Sequence, residues 1–294
     1  MSPDVPLVEI VVDGGAGLGY GHISRMRTLS QTLVEDGFAV RWAPQSDVAR
    51  AALADRASSP RAGAPDLTLV DLPYDGSEFV EAARKARRPA IALDYTGRAE
   101  ADLALRTNAP AGPVAARRVL HGLDYAIIRL EIREAVAQGG EHVLVSIGGS
   151  DLGDRGPAAA ARLAEAGQQV ILVRGPLAGP LPEAPWGVDV RVTPPDLPFL
   201  MASCAWAVAN AGTTLMELMC LGKAVHVLPQ TAEEERFAAD LLAQGAILGT
   251  GLDLLAPPDP ARQAQVAMKA ASLVDGQGVK RISALCRELV GSGA

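Results

Sequence analysis

Residues 17–25 read Gly-Leu-Gly-Tyr-Gly-His-Ile-Ser-Arg. Three glycines two apart, Gly17, Gly19 and Gly21, lead into His22, and Arg25 follows three positions later. Glycines strip side chains from a turn and let a ligand approach its backbone. A histidine and an arginine three apart share one face at the entry of the helix that should follow. The positive helix end favours a neutral imidazole there, which is a competent general base near pH 7. His22 is therefore the candidate catalytic residue, with Gly17, Gly19, Gly21 and Arg25 beside the substrate. A tight turn carrying a surface histidine is the plainer alternative.

Two further turns carry chemistry. In Ser-Ile-Gly-Gly-Ser-Asp (146–151), Gly148, Gly149, Ser150 and Asp151 offer backbone N–H groups and a hydroxyl. In 209–218, Asn210, Ala211 and Gly212 form a turn, and Thr213 and Thr214 open a helix. Small residues admit a phosphate to a helix N-terminus, and the threonine hydroxyls add donors. Glu217 lies one turn further on in an otherwise apolar helix. A carboxylate there needs a partner, which a ribose diol or a salt bridge could supply.

Several classes are excluded. The dinucleotide fingerprint G-x-G-x-x-G fails in every frame, because its third glycine falls on Tyr20, His22 or Ser24. The segment 38–45 carries no acid to grip a ribose, and no G-x-x-x-x-G-K-[ST] phosphate loop occurs. Cys204, Cys220 and Cys286 form no C-x-x-C pair, which argues against a zinc site or a disulfide framework and fits a reducing cytoplasm. No Asp-x-Asp motif calls for a metal, so neither cofactor nor metal is expected. The formal net charge of −7 and the absence of long basic runs argue against a nucleic-acid partner. No apolar run reaches the ~18 residues that span a bilayer, and no secretory signal is visible.

The elements that must position these residues are short apolar strands alternating with helices. The pattern predicts strands at 8–13, 38–43, 67–71, 90–94, 125–129, 143–147, 169–173, 188–192, 205–209 and 224–228, with 258–294 helical. Continuous apolar strands imply parallel sheets covered on both faces. The series restarts after the polar segment 131–141, which reads as a linker. The expected domains are therefore 1–134, 141–275 and a C-terminal helix at 276–294. Each half opens with a strand running into a glycine-rich turn, so two α/β domains could bind a ligand where their strands end.

Together the three turns resemble the UDP-sugar hydrolase of pseudaminic acid biosynthesis and the related spore coat polysaccharide biosynthesis proteins, a family of the GT-B glycosyltransferase type. LGYGHISR, VSIGGSD and the segment 196–225 carry the likeness; weaker matches are LVDLPYD, ALDYTGRAEADLALRTN and LHGLDYAIIRLEI. The resemblance covers roughly residues 8 to 250. It implies an α/β fold of two Rossmann-like parallel-sheet domains facing across a cleft. It makes His22 the catalytic histidine and places the phosphates on Gly212, Thr213 and Thr214. It puts the ribose on Glu217, the 148–151 loop beside the diphosphate, and the uracil near 172–174, with Arg174, and 194–197. The family's Asn-Gln pair for the sugar is replaced by acids at 233–235, where Glu234 is the candidate, and its Asp-Asp by Asp94-Tyr95. The expected function is a metal-independent cytoplasmic hydrolase of a UDP-sugar. A UDP-sugar glycosyltransferase and a non-catalytic nucleotide-sugar binding subunit are the alternatives.

Overall fold

The computed structural model describes residues 5–15, 18–151, 153–181 and 183–292; Gly17 lies outside them. The chain divides into two compact units, Met1–Ile127 with Gln277–Ala294, and Ile128–Gly276.

Unit 1 alternates strands and helices in the order β1 (Leu7–Val12), α1 (Gly21–Glu35), β2 (Ala39–Pro44), α2 (Asp47–Ala52), β3 (Leu67–Asp71), α3 (Ser77–Lys85), β4 (Ala90–Leu93), β5 (Ala101–Arg106) and β6 (Ala116–His121). All pairings are parallel, in the order β2-β1-β3-β4-β5-β6. Alternate residues of β1 feed opposite layers. Val8, Ile10 and Val12 pack with Ile23, Met26, Leu29 and Leu33 of α1, whereas Val11 joins Val80 and Ala83 of α3. Burial on both faces explains why β1 reads as a largely apolar run, interrupted only by Glu9, which pairs with Arg41.

Unit 2 continues with α4 (Leu130–Arg133), β7 (Val143–Ser146), α5 (Arg155–Glu165), β8 (Val170–Arg174), β9 (Val188–Val192), α6 (Leu197–Ser203), β10 (Trp206–Ala209), α7 (Thr213–Cys220), β11 (Val225–Val227), α8 (Ala232–Ala243), β12 (Gly249–Thr250) and α9 (Pro260–Leu273). Its strands are also parallel, ordered β12-β11-β10-β7-β8-β9.

Two parts of the sequence are organised differently from expectation. The segment 131–141 belongs to unit 2. Ile132 is buried, the Gln138 amide donates to the Ala202 carbonyl at 2.8 Å, and the Lys223 ammonium donates to the Gln138 carbonyl at 2.8 Å. The last helix, α10 (Gly278–Ser292), is part of unit 1. Val279, Ile282, Leu285 and Cys286 complete the core that α1 begins. Asp36, at the end of α1, accepts from Lys280 Nζ at 2.9 Å and Ser283 Oγ at 2.6 Å. Among the described residues no helix is long and apolar enough to cross a membrane.

Candidate active site

The strand order reverses between β1 and β3 in unit 1, and between β7 and β10 in unit 2. Open parallel sheets bind ligands outside the carboxyl ends of their strands at such reversals. The candidate residues gather at both.

In unit 1, α1 starts at Gly21, so His22 and Arg25 fall in its first two turns, just beyond the end of β1. Asp71 is the last residue of β3 and is fully buried. His22 Nδ1 lies 2.7 Å from Asp71 Oδ1, with the histidine side chain 20% exposed. Arg25 Nε donates to Asp71 Oδ2 at 2.7 Å, its Nη2 also meets Asp71 Oδ1, and its Nη1 donates to Asp94 Oδ2 at 2.6 Å. Arg25 Nη2 also stands 3.1 Å from His22 Nδ1. The carboxylate can only accept and is the closer partner, which assigns the proton to Nδ1. Nε2 is then the nitrogen with a free lone pair, the state a general base requires. Burial alone would push the Asp71 carboxyl up; the charge of Arg25, with the hydrogen bonds from Arg25 and His22, outweighs it and holds it well below the usual carboxylate range. Asp94 adopts φ +46°, a left-handed conformation uncommon outside glycine, asparagine and aspartate. Just past the end of β1, Asp13 accepts from the Gly14 amide and the Tyr74 hydroxyl, each at 2.8 Å. Burial, reinforced by Asp13, pushes the Tyr74 phenol up to about 12.

The turn before α1 closes on itself, with the Gly15 and Gly19 amides and carbonyls paired at 2.9 Å. Gly19 has φ +82° with open space beside it, so its conformation already calls for glycine. The steric demand falls on Gly14, where a Cβ would sit 2.9 Å from the Gly19 carbonyl.

In unit 2, Gly212 caps α7 with no side chain on the free N–H groups of the first turn, and that turn holds no acid. Thr213 and Thr214 are its first residues. Asn210 Nδ2 donates to Glu234 Oε1 at 2.8 Å, and Glu234 Oε2 accepts from the Gln230 amide at 2.7 Å. Thr231 in turn accepts from the Glu234 amide at 3.2 Å. Thr231 thus caps α8, Glu234 reaches back to the residue before that cap, and the acids 233–235 occupy the first turn of α8, where the helix dipole favours them. A Cβ on Gly212 would lie 2.9 Å from Asn210 Nδ2, and one on Gly148 3.1 Å from Asn210 Oδ1. The two turns at the strand reversal therefore converge on this amide.

No protein-family model and no curated protein matches the chain. Solved structures do match along nearly its whole length. MurG of Acinetobacter baumannii superposes with a TM-score of 0.64 at 15% identity, over 96% of this chain and 99% of that one. The glycosyltransferase SnogD from Streptomyces nogalater gives 0.65 at 15% identity, over 97% and 100%. The spinosyn rhamnosyltransferase SpnG complexed with thymidine diphosphate gives 0.58 at 16%, over 97% and 100%. The chain has the GT-B fold. The narrower likeness to the pseudaminic acid hydrolase rests on its motifs alone.

Within this GT-B chain three of the remaining candidate residues, Asp151, Arg174 and Glu217, already have protein partners. Asp151 accepts from the Gly156 amide at 3.2 Å, capping α5, and faces Arg174 at 3.6 Å. Arg174, expected beside the base, is only 3% exposed; it donates to Asp154 at 3.3 Å and to the Gly179 carbonyl at 2.6 Å, clamping the loop after β8. Glu217, expected on a ribose, is gripped by Arg129, whose Nε and Nη2 donate to its two oxygens at 2.6 and 2.7 Å. Ala211 is buried between Asn210 and Gly212. Gly149 and Ser150 follow β7 in the glycine turn, and Gly149 lies against Gly175. Among the described residues no group of three or more His, Cys, Asp or Glu side chains could hold a metal ion.

Sequence reasoning did not single out Asp71 or Arg129. Asp71 is 49 residues from His22, and its signal is a lone acid closing an apolar strand. Arg129 lies in a segment expected to be a strand, which instead forms a 3₁₀ turn at Leu123–Tyr125 followed by α4.

Proposed function

We propose that this chain is a nucleotide-sugar-dependent glycosyltransferase, with the nucleoside diphosphate on unit 2 and His22 of unit 1 as general base. The observation that carries the reading is the His22–Asp71 pair at the strand reversal of unit 1. Asp71 holds the imidazole in one tautomer and orientation, leaving Nε2 to take a proton. An acceptor hydroxyl attacks the anomeric carbon as Nε2 removes its proton, and the bond from that carbon to the diphosphate oxygen breaks. Charge developing on the leaving diphosphate is met by the uncapped N-terminus of α7. This chemistry needs no metal.

Transfer is preferred to hydrolysis because two of the similar structures are named as transferases, SnogD and a rhamnosyltransferase. In a hydrolase, water would replace the acceptor hydroxyl with the same roles for His22 and Asp71. UDP is the nucleotide expected from the motifs; thymidine diphosphate, bound in the SpnG structure, is the second to test. At a concentration ~100 times its Kd, the right diphosphate should add ~2.7 kcal/mol of stability, and NADH should add none. Sugar-nucleotide turnover should then depend on an added acceptor and be unchanged by EDTA. Turnover at full rate without any acceptor would establish the hydrolase instead.

A further inference from the structure

The sequence pattern places Arg25 beside the substrate, yet protein encloses it. Its side chain is 13% exposed, and each of its three guanidinium nitrogens meets a carboxylate. Nε and Nη2 grip the two oxygens of Asp71, and Nη1 donates to Asp94 Oδ2 at 2.6 Å. Asp94 is fixed in turn. It follows β4 directly, its amide donates to the Leu105 carbonyl of β5 at 2.9 Å, and its φ is +46°. Four side chains therefore form one series, Asp94–Arg25–Asp71–His22, anchored at two strand ends and finishing on the imidazole. We propose that Arg25 and Asp94 are positioning residues for the base: Arg25 locks the plane of the Asp71 carboxylate so that Oδ1 meets His22 Nδ1, and Asp94 seats Arg25. This role rests on the reading of His22 as the base.

A lone aspartate orients an imidazole poorly, because its last side-chain torsion is broad and can offer either oxygen or neither. A two-pronged guanidinium grip fixes that plane. It also preserves the charge. Asp71 is fully buried, and a buried carboxylate without a cation would take up a proton and lose its hold on Nδ1–H. Burial by itself would lower the Arg25 guanidinium; Asp71 and then Asp94 raise it, so it stays cationic between them. Spaced three apart on α1, His22 and Arg25 reach the same Asp71 oxygen from one face of the helix. The left-handed backbone at Asp94 suits aspartate and asparagine alike, so the charge there can be removed without disturbing the turn.

The test reads the imidazole directly, by heteronuclear NMR of the ring nitrogens in the full chain. The protein has four histidines, and His22 is assigned by its absence from His22→Asn. Wild-type His22 should show a single tautomer with the proton on Nδ1. Asp94→Asn should give mixed tautomers and lower kcat about 10-fold, with KM for the sugar nucleotide within about twofold. Arg25→Lys, which has no fork, should also mix the tautomers. Arg25→Ala should lower kcat about 100-fold, and millimolar guanidinium, but not urea, should raise it again about 10-fold. If Arg25→Ala does not fold, Asp94→Asn and Arg25→Lys decide the matter. An unchanged tautomer with full turnover in Asp94→Asn or in Arg25→Lys overturns the positioning series and leaves His22 as the base. A folded Arg25→Ala that does not respond to guanidinium assigns Arg25 to stability alone and also overturns it. A fully active His22→Asn overturns both the positioning role and the reading of His22 as base.

Discussion

The two sheets end differently at their strand reversals. In unit 1 the carboxyl edge collects full charges on side chains: Asp13, Asp71 and Asp94 at the ends of β1, β3 and β4, with His22 and Arg25 reaching them from α1. In unit 2 the edge sets Gly148, Gly212 and the uncapped start of α7 around Asn210, while its charged groups, Glu234 and the Asp151–Arg174 pair, are engaged in helix caps and a loop clamp. Charged side chains locked in a partly dry network suit proton transfer, where orientation and protonation state decide the rate. Backbone N–H groups suit a ligand that carries its own negative charge and must come close. On the function proposed above, one topology supports a reacting edge and a holding edge, and they differ in which residues close their strands and open their helices.

The largest test of that contrast is His22→Asn. Turnover should fall by ~10²–10⁴, while affinity for the diphosphate stays within about twofold, because the base acts only on the acceptor proton. Asp71→Asn should lower turnover in the same direction by releasing the imidazole. A loss of diphosphate affinity in His22→Asn would collapse the division into reacting and holding edges.

A smaller effect is expected from Gly212→Ala. Its Cβ would press on Asn210 Nδ2, which Glu234 holds in place, so the amide cannot simply move aside. Titration calorimetry should show roughly tenfold weaker diphosphate binding. A variant that binds normally would remove the tight turn from the holding edge.

The smallest effect concerns acid stability. The folded state holds the Asp71 carboxyl below its ordinary value of 3.8. The unfolded chain therefore takes up that proton first as pH falls. The stabilisation is complete above pH ~5 and is lost as pH drops through the lowered value. Asp71→Asn should be less stable than the wild type at pH 7, with the gap narrowing below pH ~4 in denaturant titrations. A gap that stays constant down to pH 2 would mean that Asp71 does not carry the charge balance of this edge.

What could be read in the sequence follows the same physics. β1, β3, β4, β7, β8 and β10 are legible because burial on both faces leaves largely apolar runs, and β9, an edge strand, because Val188, Val190 and Val192 alternate with Asp189 and Arg191. β5 is not, because Ala-Asp-Leu-Ala-Leu-Arg has poor strand propensity and is held by burial of Ala101, Leu103, Ala104 and Leu105. β6 is an edge strand with Arg117 and Arg118 exposed, a composition that suppresses further pairing and hides the strand. His22, Arg25 and the glycine turns are local signals and could be found by spacing. The partners that define their chemistry are not local. Asp71 meets His22, and Arg129 meets Glu217 across 88 residues, only because the sheets form.

The placement of α10 has a consequence for biosynthesis. Unit 2 is one continuous stretch, Ile128–Gly276, whereas unit 1 needs Gln277–Ala294 to finish its core. On the ribosome, the earlier-made sheet therefore waits, with Leu29 and Leu33 lacking the layer that Val279 and Ile282 supply, while the later-made unit becomes complete. The usual order, in which the N-terminal part folds first, is inverted. The segment carrying the proposed base acquires its final packing last, so a ribosome that stalls before α10 releases a finished unit 2 tethered to an incomplete unit 1.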